Sequence, residues 1–119
     1  MAFLWTTLHV ADLERSLIFY RDVVGLPEVS RMTPPGMTIV FLGDGTTRLE
    51  LIADPRNPSP DLGKDIAIGF SVDNLDDALA HVGAHRVPMA SGPFQAGPRT
   101  RFFFVKDPDG LTVQFVEEK

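Results

Sequence analysis

Two side chains in this sequence could move a proton from inside a strand: His9 in "FLWTTLHV" (3–10) and Glu50 in "RLELIA" (48–53). Histidine is the side chain whose ordinary charge change falls between pH 5 and 8, so His9 is a candidate ligand contact or general base. It is equally a polar residue at a cavity edge, hydrogen-bonded to backbone or water. Glu50 shares a strand face with Arg48, and the two could simply neutralise each other. Against that, a carboxylate facing an enclosed cavity is costly to keep without a partner, and a cationic or hydroxyl-bearing ligand would serve as one. Trp5 lies on the same strand face as His9, either as core or as a stacking wall for an aromatic or cationic ligand. Arg101 and Phe103 share a face of "RFFFV" (101–105), and Gln114 lies in "LTVQFVE" (111–117). Trp5, His9, Arg48, Glu50, Arg101, Phe103 and Gln114 are the candidate ligand-binding set, with His9 and Glu50 the catalytic candidates. His81 and His85 fall at a helix end and just past it, where an exposed position near the helix dipole accounts for them. Without cysteine there is no thiol nucleophile, disulfide or thiolate metal site.

The elements that carry these residues come in two rounds. A strand over 3–10 leads to Asp12 as an N-cap, and Leu13, Leu17, Tyr20 and Val24 then mark one helix face, stopped by Gly25. A short β-leaning piece follows over 27–32, and "TPPG" (33–36) is a turn. Strands are expected over 37–42 and 48–53, joined by a turn at "GDG". Residues 54–63, "DPRNPSPDLG", hold three prolines and no periodicity, which makes them a linker. The second round has a strand over 66–72, Asn74 as N-cap, a helix faced by Leu75, Leu79 and Val82 with Gly83 as its stop, and a short strand near 86–89. A Gly/Pro-rich loop over 90–100 follows, whose Phe94, Gln95 and Arg99 could close a cavity mouth. Strands over 101–105 and 111–117 then flank "KDPDG", where the aspartates are turn residues.

The rounds match residue by residue. "VADLERSL" (10–17) and "VDNLDDAL" (72–79) share Val, Leu and Leu, 62 residues apart. "DG" before "LEL" (44–51) parallels "DG" before "VQF" (109–115) with one residue of slack. The chain is therefore a duplicated βαβββ unit: module 1 over 1–53, linker 54–63, module 2 over 64–119. Each module makes a four-stranded sheet with a helix on one face and leaves the other face to be covered.

The bounds agree with a single domain of 119 residues at a net charge of −5. That balance excludes a nucleic-acid surface, which needs a basic footprint. The start lacks a signal-peptide pattern and no run reaches membrane-spanning length, so the expectation is a cytoplasmic protein without a membrane partner.

"DLERSLIFYRDVVGL", "LELI", "GFSVDNLDDAL" and "FFFVKDPDGLTVQFVE" together resemble the vicinal oxygen chelate superfamily, which includes glyoxalase I, extradiol dioxygenases and fosfomycin- and bleomycin-resistance proteins. The resemblance covers nearly the whole chain. It implies an α+β fold of two tandem βαβββ modules whose curved mixed sheets enclose a ligand cavity, often completed by dimerisation. Metal-dependent members place a histidine on the first strand of a module, seven residues before the Asp or Asn that opens the helix, and a carboxylate on the last strand. By that pattern the four positions here are Trp5, Glu50, Ala67 and Gln114. One is a good ligand, one a weak neutral one, and two cannot ligate. His9 lies about 13 Å further along the strand than Trp5 and does not replace it.

The sequence thus predicts a homodimer that binds a small molecule in its cavity, without metal or other cofactor, in the manner of a resistance protein that sequesters a drug. The alternative is an enzyme of the same superfamily, of lyase, isomerase or dioxygenase type. It would use His9 or Glu50 as base, or one divalent metal held through Glu50 and Gln114.

Overall fold

The computed structural model describes residues 1–119. The chain divides into two compact units, Met1–Leu62 and Gly63–Lys119. No helix is long and apolar enough to cross a membrane.

Unit 1 holds β1 (Trp5–His9), α1 (Leu13–Leu17), β2 (Glu28–Met32), β3 (Thr38–Leu42) and β4 (Arg48–Ala53). The strands form one mixed sheet in the order β1-β4-β3-β2, with β1 parallel to β4 and the remaining pairs antiparallel. Unit 2 repeats the plan with β5 (Ala67–Ser71), α2 (Leu75–Ala84), β6 (Ser91–Ala96), β7 (Thr100–Lys106) and β8 (Thr112–Glu118), in the order β5-β8-β7-β6. The duplicated βαβββ arrangement is therefore present strand for strand.

The two N-caps work the same way. Asp12 and Asn74 both sit in extended backbone, and each accepts a bond from the amide three residues on, Arg15 N at 3.2 Å and Asp77 N at 2.9 Å. Such a cap satisfies one of the amides a helix start leaves unpaired. Each sheet then buries one face under its helix. In unit 1 Leu8, Val40, Leu42, Leu49 and Leu51 pack on that face, with Leu17 and Tyr20 from the helical segment. In unit 2 the buried set is Leu75, Val82, Phe103, Val105, Val113 and Phe115. Strand alternation leaves the other face of each sheet to carry the remaining side chains.

Three local expectations need correction. The first helix is α-helical only to Leu17; Ile18–Val23 continues as a π-helix, with Val24 N donating to Phe19 O at 2.9 Å. The wider turn shifts the buried set to Phe19, Tyr20 and Val23. Residues 86–89 form no strand. Arg86, at φ 60°, ends α2, and Val87 N donates to Val82 O at 2.9 Å, so these residues close the helix instead of pairing. The strand lies in the supposed loop, as β6. A Cβ on Gly92, at φ +104°, would meet Phe103 Cα at 3.2 Å, and the β6–β7 register slips between Ser91 and Phe94. The Gly-Pro pair read as loop punctuation is a bulge on an edge strand. "DPDG" is a turn as expected: Asp107 accepts from Asp109 N at 2.9 Å and Leu111 N at 2.8 Å.

Candidate active-site face

Sheet register assembles the unit 1 candidates on its open face. β1 contributes Trp5, Thr7 and His9; β4 contributes Arg48, Glu50 and Ile52; and the parallel pairing sets Trp5 beside Arg48, Thr7 beside Glu50 and His9 beside Ile52. On the other side of Glu50 stands Phe41 of β3. Glu50 accepts a hydrogen bond from the Thr7 hydroxyl, which fixes one carboxylate oxygen. The expected Arg48–Glu50 pair does not form. Arg48 lies instead against two rings, its Cζ 5.8 Å from the Trp5 centroid and 5.7 Å from that of Phe41. Those rings meet edge to face at 5.1 Å and 74°. Sequence reasoning missed Thr7 and Phe41. The signal for Thr7 was its alternation with Trp5 and His9; Phe41 needed the β3–β4 register.

His9 ends β1, exposed, where the chain turns toward α1. A cleft of about 390 Å³ opens beyond the ends of β1 and β4, walled by Val10, Ala11, Thr38, Ala53, Asp54 and Pro55. Its only charged side chain is already engaged. Arg56 bonds Asp54 at 3.0 and 3.1 Å and holds its carboxyl below the usual range, with a smaller contribution from His9. The candidate polar side chains stand on the sheet face, outside this cleft.

Unit 2 distributes its candidates differently. Gln114 lies on the open face between Gly69 and Phe104. Arg101 and Phe103 do not join it. The β7–β8 register pairs Phe103 with Phe115 and Arg101 with Glu117, and Phe103 is 0% exposed under α2. Arg101 instead spans Glu117 at 3.5 Å and Asp76 at 3.6 Å. Only two positions of "RFFFV" alternate onto the open face, and those are Phe102 and Phe104. With Phe94 they form an aromatic group at centroid separations of 5.6, 5.6 and 6.3 Å. Glu117 is buried and accepts from Leu75 N at 2.8 Å. That amide bond, then Lys119 and Arg101, holds its carboxyl below the ordinary value against the cost of burial. Its work is structural, tying β8 to the start of α2.

The four positions where the family pattern calls for metal donors hold Trp5, Glu50, Ala67 and Gln114. An indole and a methyl offer no lone pair, and no group of three or more His, Asp or Glu side chains stands together anywhere in the chain. These residues do not reproduce the family's four-donor set.

Comparison with known proteins adds the remaining constraint. The sequence model of the Glyoxalase/Bleomycin resistance protein/Dioxygenase superfamily matches residues 2–115. Lactoylglutathione lyase of Neisseria meningitidis is 34% identical over 128 residues, covering 100% of this chain and 92% of that protein. The Haemophilus influenzae lactoylglutathione lyase is 33% identical over 127 residues, at 100% and 94% coverage. Among solved structures, the trypanothione-dependent glyoxalase I of Leishmania major superposes with a TM-score of 0.85 at 29% identity, covering 99% of this chain and 87% of that one. An antibiotic-binding protein from Streptomyces, TnmS3, gives a TM-score of 0.80 at 20% identity over 100% and 97% of the two chains, a likeness of fold alone.

These relatives overturn the expectation of a chain without cofactor. Lactoylglutathione lyase is the glyoxalase I activity, which the family resemblance ties to a bound metal, so that expectation is withdrawn even though the donor set here departs from the family pattern. Duplicated βαβββ units, a carboxylate on the first unit's open face and whole-length likeness to the lyases converge on one assignment: the chain belongs to the Glyoxalase/Bleomycin resistance protein/Dioxygenase superfamily.

Proposed function

We propose that this chain is a lyase of the glyoxalase type, acting on a small 2-hydroxyacyl thioester such as lactoylglutathione, with Glu50 as its proton-transfer group. The observation that carries the reading is Glu50 itself. It stands on the open face of β4, oriented by the Thr7 hydroxyl and left without a neutralising cation. Interconverting such a thioester with a thiol and a 2-oxoaldehyde requires a proton to leave one carbon and return to its neighbour. A carboxylate within reach of both carbons does this as general base and then general acid. The bond to Thr7 engages one of the Glu50 oxygens and leaves the other for the substrate, beside the rings of Trp5 and Phe41. His9 supplies a second polar group on the same face for contact with the substrate.

The support is the lyase relatives that span the whole chain at 32–34% identity. This replaces the drug-sequestration reading, because the likeness to the antibiotic-binding protein extends to the fold only.

The test follows thioester absorbance during incubation with lactoylglutathione, and with glutathione plus 2-oxopropanal, in the presence and absence of zinc, nickel or manganese. Parent protein should turn over, and Glu50→Gln should lower kcat by about 10²–10⁴-fold, the usual worth of a positioned acid–base group. Its circular dichroism should match the parent. No turnover under any of these conditions, or an undiminished Glu50→Gln variant, would sink the proposal.

A further inference from the structure

We infer that Arg48, backed by Trp5 and Phe41, is the anion-binding group of this face and takes the carboxylate of a carboxylate-bearing substrate. The inference rests on the reading of the open face of unit 1 as the active site, and it adds the chemical class of what binds there.

Three observations carry it. The guanidinium lies within 6 Å of two ring centroids, 5.8 Å from Trp5 and 5.7 Å from Phe41, which is the range of an attractive cation–π contact. The rings meet at 74°, so they bracket the guanidinium from two directions and limit its freedom. A guanidinium needs acceptors for its five N–H donors, and ring faces supply none in the guanidinium plane. Glu50 would be the natural acceptor, since it is two residues along the same strand face. Its carboxylate is bonded to Thr7 instead, and Arg48 enters none of the chain's ion pairs. The guanidinium is thus placed beside two rings and makes no ion pair within the chain.

An arginine so placed suits a planar carboxylate, which takes two parallel N–H bonds. The ring partners favour a ligand with a flat or apolar part beside its anionic group. Two residues along a strand span about 6.6 Å. A substrate carboxylate on Arg48 would therefore leave other carbons of the same molecule within reach of Glu50. Lysine at this position would keep the charge and lose the fork.

The carboxylate could come from a small acid or from the peptide part of a glutathione adduct, and separate arms of one experiment distinguish them. Trp5 is the only tryptophan, so intrinsic fluorescence reports on this site. Full-length protein is titrated with benzoate, with glutathione, and with benzamide as the neutral counterpart of benzoate. At least one carboxylate should change the emission saturably, and benzamide should bind at least tenfold more weakly than benzoate if benzoate is the one that binds. Saturation by glutathione alone assigns the peptide source; saturation by benzoate assigns the small acid. Arg48→Met should weaken carboxylate binding by about 10–100-fold, the worth of a charge-assisted bond pair. Arg48→Lys, which preserves the charge should the methionine variant not fold, should bind between the two.

Absence of saturable binding by either carboxylate would overturn the inference. So would benzamide binding as well as benzoate, or Arg48 variants that bind like the parent. The lyase reading fails separately, because carboxylate binding without thioester turnover retains the Arg48 site and rejects the activity.

Discussion

Phe102 and Phe103 are neighbours on β7, yet the sheet sends them to opposite faces, and alanine at each should give very different losses. Phe103 is 0% exposed and packs on Phe115 with ring centroids 5.2 Å apart. Truncating a fully buried phenylalanine removes its transfer free energy and leaves a cavity, at a cost of about 3–5 kcal/mol. Unfolding entropy of about 2.1 cal/mol/K per residue over 119 residues gives about 0.25 kcal/mol/K for the chain. Phe103→Ala should therefore lower Tm by about 12–20 °C. Phe102 is half-buried on the open face, and its ring meets those of Phe94 and Phe104 at 5.6 Å each. Its truncation leaves a groove rather than a cavity, and about 1 kcal/mol or roughly 4 °C is expected. Thermal denaturation followed by circular dichroism, repeated as urea unfolding, reads both variants. A Phe103→Ala protein that melts within 3 °C of the parent, or equal losses from the two variants, would refute the face assignment. Arg101 and Phe103 would then return to the candidate site.

Glu117 gives a pH signature. Its folded carboxyl is held below the ordinary 4.5, chiefly by Leu75 N, so the stabilisation is complete above that value and is lost as pH falls through the lowered one. Melting temperature should drop on acidification below about pH 4.5, together with contributions of the same sign from Glu28 and Asp54, and Glu117→Gln should flatten that limb. An unchanged acid limb in that variant would remove Glu117 from the account. The edge strands of both sheets, β1 and β2 in unit 1 and β5 and β6 in unit 2, leave backbone groups that a second copy could pair or cover. Light scattering at micromolar concentration should accordingly give about 26 kDa, twice the 13.1 kDa chain, and a monomer would count against the dimer.

Features fixed by local chemistry were readable in the sequence. Asp12 and Asn74 announce the two helices because a cap is a residue type at a set distance from an amide. The alternation in "RLELIA" and "LTVQFVE" places Glu50 and Gln114 on the strand faces where the structure has them. Features that depend on a partner strand were not. "RFFFV" contains aromatics of both parities, and only the pairing of Phe103 with Phe115 determines which of them is buried. The bulge at Gly92 required a neighbouring Phe103 backbone to explain it, so the segment read as a loop. The same applies to Arg48. Sharing a face with Glu50 suggested an ion pair, whereas a parallel neighbour, Trp5, and a diagonal one, Phe41, turn the guanidinium elsewhere.

Duplication makes the chemistry of the two open faces comparable position by position. Trp5 corresponds to Ala67, Thr7 to Gly69, Arg48 to Thr112 and Glu50 to Gln114, since each pair occupies the same place in its parallel strand pairing. In every pair the first unit carries the larger or more reactive side chain. The helix-covered faces do not diverge in this way: Leu49 and Leu51 correspond to Val113 and Phe115, and all four are buried and apolar. Folding therefore constrains one face of each sheet, and the other is free to change at little cost in stability. Unit 1 has used that freedom to place a carboxylate, a guanidinium and two aromatic rings together on its open face. Unit 2 has small side chains and an amide at the matching places, so the proposed proton-transfer group has no counterpart there, and a substitution such as Gln114→Glu should change the charge of that face without altering the fold.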